Sequence, residues 1–139
     1  MQNLVITNEM LKALQSKSIL FSYNWNNKLN CKSFSTVRLW NPEKYQLLDL
    51  FEISVKESAK HPKVIKGIAR LQVINKFLLH KVTPGMTFLD ANLSVIDFQQ
   101  LVQFMYKNKG INFKEHPMCF LVFQYLKNDE ILTLVDNCK

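Results

Sequence analysis

Residues 64–75, VIKGIARLQVIN, alternate along their whole length and so set the terms for the fold. Ile65, Gly67, Ala69, Leu71 and Val73 share one face, and Lys66, Ile68, Arg70, Gln72 and Ile74 share the other, which is the two-residue period of a β-strand. The first face is predicted to enter a core and the second is partly basic. Gly67 and Ala69 are small enough for the tight interior of a small barrel, or for the close approach of a helix. Two shorter segments share the alternation. Residues 32–40 place Lys32, Phe34, Thr36, Arg38 and Trp40 on one face and Ser33, Ser35, Val37 and Leu39 on the other. Residues 50–55 place Phe51, Ile53 and Val55 opposite Leu50, Glu52 and Ser54. Asn41-Pro42 ends the earlier segment, because Pro42 has no N–H to donate and forces Asn41 into extended geometry. Residues 56–63 form a charged turn containing His61-Pro62. Residues 18–23 read as a short strand, and the continuous apolar run 119–126 as a buried one.

Helical signals lie outside this block. Asn8 can cap a helix over residues 8–14, with Glu9 at its positive end and Ile6, Met10 and Leu14 four residues apart. Ser94 followed by Asp97 is a capping-box-like start, and Phe98, Leu101, Val102 and Met105 continue as a helical stripe to about residue 106. Thr83-Pro84-Gly85 reads as a turn, Gly110 as a break, residues 25–30 as loop or one helical turn, and residues 128–135 as a closing helix. The order is helix, several strands, helix, strand, helix, without a βαβ rhythm. That order predicts an α+β fold: a curved antiparallel sheet or small barrel with helices packed outside. A chain of 139 residues with no linker is expected to be one domain, with residues 1–17 as a helical extension, 18–126 as the core and 127–139 as a tail or helix.

Composition removes several classes of function. Only three glycines occur, so neither a Gly-rich phosphate loop nor a dinucleotide fingerprint can exist. Cys31, Cys119 and Cys138 form no C-x-x-C pair, which argues against structural zinc and for a reducing, cytoplasmic setting. His61, His80 and His116 are dispersed, and each reads as a surface histidine. No metal or cofactor is expected. The first fourteen residues carry Glu9 and no long apolar stretch, so no signal peptide is expected. No run approaches the apolar length of a membrane span, and no membrane partner is expected. Lys and Arg number 18 against 11 Asp and Glu, a net charge of +7 and a pI near 9.4. That field attracts polyanions.

Basic and aromatic residues interleave in one stretch, residues 23–45. Lys32, Arg38 and Lys44, with Arg70 from the long strand, are candidates for phosphate contact. Tyr23, Trp25, Trp40 and Tyr45 are candidates to stack on exposed bases. Each also has a plainer reading: the tryptophans as core or rim aromatics, Lys32 as a solvated strand lysine, and Thr36 as an ordinary strand residue. Phe34 on the face of Lys32 marks that face as half core.

The segment ILFSYNWNNKLNCKSFSTVRLWNPEKYQLLDLFEI, residues 19–53, resembles the ASCH family of the PUA-like superfamily. Lys32, Ser33, Phe34, Ser35, Thr36, Val37 and Arg38 resemble its Lys-x-x-Thr and Thr-x-Arg stretch. Leu48-Asp49-Leu50-Phe51-Glu52-Ile53 resembles its Gly-Asp-hydrophobic strand entry, with Leu48 where glycine is usual. The strand 64–74 and a helix over 90–106 follow in the family's order, so the likeness covers roughly residues 18–126. Counted from Lys32, the family's hydroxyl falls on Ser35. A regular strand instead places Thr36 beside Lys32 and Arg38, and one bulge reverses that, so both hydroxyls stand.

The resemblance implies a PUA-like, ASCH-type small β-barrel with peripheral helices. It also implies binding of RNA or a modified nucleotide in a cleft beside Lys32–Arg38. In an enzymatic branch it implies hydrolysis of an acylated nucleoside by a Lys–Thr–Glu arrangement, for which Lys32 with Ser35 or Thr36 would serve. A hydroxyl is a weak nucleophile until a neighbouring base takes its proton. The third member is open: the helical region offers Asp90 and Asp97, and Glu52 lies elsewhere. A reading from another class is a protein-interaction module, of the kind phages or plasmids encode, whose basic surface meets an acidic partner.

Overall fold

A computed structural model of the chain describes residues 4–138, the side chains of residues 25 and 26 excepted. The strands are β1 (Lys17–Phe21), β2 (Ser33–Leu39), β3 (Leu50–Val55), β4 (Val64–Phe77) and β5 (Met118–Tyr125), and the helices are α1 (Asn8–Leu14), α2 (Pro84–Ala91), α3 (Val95–Met105) and α4 (Asn128–Asn137). The strands make one sheet in the order β1-β3-β4-β5-β2. The β1–β3 pair is parallel and the other three pairs are antiparallel, so the sheet is mixed where the sequence predicted an antiparallel one. The result is an α+β fold: a half-barrel with helices around it.

Alternation puts Phe34, Phe51, Ile53, Ala69, Leu71, Leu121 and Phe123 on the inner face, where they form the main core. Val37 and Leu39, on the opposite face of β2, join a second cluster with Phe98 and Val102 of α3 and with Met118. Each face of β2 thus buries apolar side chains, one into the half-barrel and one under the α2–α3 pair.

The predicted faces of β4 hold only from Gly67 to Leu71: against β3 the register shifts between Ile53 and Ser54, which pairs Ile65 with Ser54 and takes it off the core face. The β4–β5 register shifts between Leu71 and Val73, an irregularity of the bulge kind that inserts an unpaired residue. Beyond it the faces exchange: Val73, expected inside, is exposed, and Ile74, expected outside, packs against the core.

Three local expectations change for reasons of helix capping. Thr7, not Asn8, caps α1, its hydroxyl accepting from the Met10 N–H at 3.2 Å. Thr83-Pro84-Gly85 is the start of α2 rather than a turn: Thr83 is the cap, and Pro84 takes the first helical position, where a missing N–H costs nothing. The single helix implied over residues 90–106 is two. α2 stops at Asn92, in the left-handed region with φ 56°, and Ser94 caps α3 by accepting from the Asp97 N–H at 3.2 Å.

Candidate functional site

β1 and β2 are the two edges of the sheet and share no ladder pairing. Inside the half-barrel their rings meet edge to face, Phe21 against Phe34 at 6.1 Å between centroids. Beside this contact a cleft of about 100 Å³ opens between Leu20–Tyr23 on one side and Thr36–Arg38 on the other, with Phe21 in its lining. Its back wall is α2 and α3, through Asp90, Phe98, Val102 and Tyr106.

The cleft owes its shape to three side chains. Arg38 lies across the seam: Nη2 donates to the Leu20 carbonyl at 3.2 Å, Nε donates to the Thr36 hydroxyl at 3.3 Å, and the guanidinium sits over the Phe21 ring at 4.7 Å. Lys28 reaches in from the 3₁₀ turn Trp25–Asn30 and meets Asp90 of α2. Its Nζ donates to the Asp90 carboxylate at 2.9 Å and to the Asp90 carbonyl at 3.0 Å, and both side chains are buried. Asp90 sits in the last turn of its helix, the end least favourable to a carboxylate, so the ammonium offsets both the carboxylate and the helix dipole. The Ser35 hydroxyl donates to the same carboxylate oxygen at 3.2 Å.

Burial works on both partners of this pair. It lowers the Lys28 ammonium and raises the Asp90 carboxyl, while each partner's opposite charge pulls the other back toward its ordinary value. Lys44 is likewise lowered, by burial and then by Arg38.

The residues predicted from sequence are dispersed by the fold. Tyr23, Thr36 and Arg38 line the cleft. The side chain of Trp25 lies outside the described residues. Lys32 is exposed ahead of β2 and does not line the cleft; the buried lysine is Lys28. Ser35 points to Asp90 from the other face of β2, as regular alternation requires. Trp40 and Tyr45 stack on each other at 6.5 Å, and Tyr45, 5% exposed, stacks onward on Phe51, so its ring faces the core. Lys44 lies over Tyr45 at 5.7 Å, and Arg70 donates to the Leu48 carbonyl at 3.0 Å. Neither lines the cleft. Of the candidate carboxylates, Asp90 lines the cleft. Asp97 is exposed on α3, and Glu52 is buried in β3 with Lys63 at 2.8 Å. Lys28 was not legible, since no local pattern separates it from the other lysines of an Asn-rich stretch.

No group of three or more His, Cys, Asp or Glu side chains able to hold a metal occurs among the described residues, and no helix among them is long and apolar enough to cross a membrane. No protein-family model and no curated protein matches the chain. Among solved structures it is similar to the crystal structure of protein EF3133 from Enterococcus faecalis V583, of the family DUF984, with a TM-score of 0.49 and 10% identity over 71% of this chain and 67% of that one.

Proposed function

We propose that the chain is an RNA- or modified-nucleotide-binding domain of the ASCH, PUA-like kind, and that it holds one base or nucleotide in the seam cleft. The position of Arg38 carries this reading. Two of its nitrogens are committed to Thr36 and Leu20, which fixes the guanidinium at the cleft and leaves Nη1 without a protein partner among the described residues. A fixed fork with one donor to spare suits a phosphate or a base edge. Lys28 and Asp90 offset each other, so Arg38 leaves the lining one positive charge in excess, in keeping with an anionic ligand. A volume near 100 Å³ is well below that of ordinary ligand pockets and suits one ring-sized group rather than a duplex.

The test is fluorescence anisotropy with a labelled single-stranded RNA at about 50 and about 200 mM salt, with wild type beside Arg38→Ala and Lys32→Ala. Wild type should bind and weaken as salt rises. Arg38→Ala should lose affinity while remaining folded, and Lys32→Ala should lose less. Absence of binding at low salt would sink the proposal.

The hydrolytic reading asks one hydroxyl to face both the ligand and a base. Here those requirements are divided: Ser35 touches Asp90 but does not line the cleft, whereas Thr36 lines the cleft but is engaged by Arg38. Binding is therefore the preferred reading. Release of free nucleoside from N-acylated nucleosides, lost in Asp90→Asn, would reverse that preference.

A further inference from the structure

The seam cleft has a larger neighbour. A groove of about 580 Å³ runs between the 3₁₀ turn and the start of β4, and Tyr23 lines both the groove and the cleft. Tyr23 stands just beyond the end of β1, 55% exposed, as the wall common to the two.

Amide side chains line one wall of the groove and the apolar Val55, Pro62 and Val64 part of the other, with one cation, Lys66, and one carboxylate, Glu57, at the margin. The Asn24 side-chain oxygen accepts from the Leu29 N–H at 2.9 Å, which orients the amide and leaves Nδ2 to donate elsewhere. Asn30 Nδ2 reaches the Asn27 oxygen at 3.4 Å, which leaves the Asn27 amide nitrogen and the Asn30 oxygen unused by the protein among the described residues. Opposite them stand His61, its Nδ1 held by the Ser58 hydroxyl at 2.6 Å, and the exposed Lys66. Amides of both polarities, an imidazole, a cation and a shared aromatic wall match the parts of a second nucleotide: base edge, 2′-hydroxyl, phosphate and ring face.

We propose that this groove is a second nucleotide subsite, so that the chain takes a single-stranded segment, one nucleotide in the seam cleft and its neighbour past Tyr23, rather than a lone nucleotide. The inference rests on nucleotide binding in the cleft, and its test separates the two.

The four ribonucleoside 5′-monophosphates and the matching homodinucleotides and homotetranucleotides are titrated calorimetrically into wild type and into a His61→Ala/Lys66→Ala variant. Both positions are exposed, so the variant should fold as wild type does. In the series that binds, the dinucleotide should bind about tenfold tighter than the mononucleotide, chiefly through contacts of the second nucleotide with His61 and Lys66. The variant should keep its mononucleotide affinity and lose most of that gain. Equal affinity for mononucleotide and dinucleotide, or a variant that keeps the gain, overturns the second subsite and leaves the cleft reading standing. Failure of every probe to bind overturns both. An oligoglutamate peptide that binds as tightly as the tetranucleotide and displaces it would make this a surface for acidic protein, and would also overturn the subsite.

Discussion

The Arg38 guanidinium donates to the Leu20 carbonyl at 3.2 Å and so joins the two edge strands of a sheet whose backbone does not close. Where a continuous barrel would have a ladder of N–H···O=C bonds, this one has a side chain and an aromatic contact, Phe21 against Phe34. A seam closed in this way leaves room for a ligand between the strands. It also makes β1 depend on its pairing with β3 and on the burial of Ile19 and Phe21.

Arg38→Ala should therefore act on the seam before it acts on the fold. It removes a charge-assisted bond to Leu20 and the contact with Phe21, together about 2 kcal/mol. Urea unfolding should report that loss. Hydrogen exchange should place it locally, with amides of residues 17–21 exchanging faster and those of β4 and β5 unchanged. Uniform acceleration across the sheet would mean that Arg38 supports the whole core instead.

The Lys28–Asp90 pair gives an asymmetric prediction. Lys28→Met leaves a buried carboxylate with only Ser35 to satisfy it, and should cost about 3–5 kcal/mol in chemical denaturation. Replacing both, Lys28→Met with Asp90→Leu, removes the uncompensated charge and should recover most of that loss. If the double variant is no more stable than Lys28→Met alone, the pair is not the feature that pins the 3₁₀ turn to α2.

Alternation made the strands legible, because a two-residue period survives whatever the tertiary structure does. It could not show the shift between Leu71 and Val73, which belongs to the pairing with β5 and sends Val73 outward. Nor could it show that Tyr45 turns inward from the 40–49 connection, since basic and aromatic residues interleave in the same way whichever side is solvent. Thr36 and Arg38 were legible as a motif and do line the cleft. Lys28 and Asp90 lie 62 residues apart and meet only because the 3₁₀ turn and α2 both pack beside the free edge of β2.

Gly67 bears on the same turn, through Leu29, the residue after Lys28. A Cβ there would stand 2.9 Å from the Tyr125 ring. The ring cannot simply swing away, because its hydroxyl donates to the Leu29 carbonyl at 2.9 Å. Gly67→Ala should cost about 1–3 kcal/mol by overpacking, and should loosen the 3₁₀ turn as the Leu29 bond breaks. Tyr125→Phe, which loses only the hydrogen bond, should cost about 1 kcal/mol. In Gly67→Ala/Tyr125→Leu the clash is gone, so the double variant should lose clearly less than the sum of the Gly67→Ala and Tyr125→Leu single variants in thermal melts. Simple additivity would show that the alanine is accommodated without moving the ring.

Alkaline stability should depend on Cys119. Its thiol is fully buried and donates to the Arg38 carbonyl at 3.4 Å, and burial pushes it from an ordinary 9.0 up to about 12. The folded state keeps this proton where the unfolded state has released it, so stability is intact below about pH 9 and falls as pH rises toward 12. Between about pH 8 and about pH 10.5 the loss from this one group is about 2 kcal/mol. Tyr45, pushed by burial from 10.0 up to about 12, adds a smaller loss of the same sign near the top of that range. Lys28 and Lys44 act in the opposite sense, because a lowered ammonium gives up its proton in the folded state first, and stability from them rises with pH up to about 10.5. The total slope therefore mixes signs, but the difference between wild type and Cys119→Ala does not. Urea unfolding of the two proteins at both pH values should show wild type losing about 2 kcal/mol more than the variant on going to the higher pH. Parallel losses would mean that the Cys119 thiol ionises as easily in the folded protein as in the unfolded chain, and that the start of β5 is open to water.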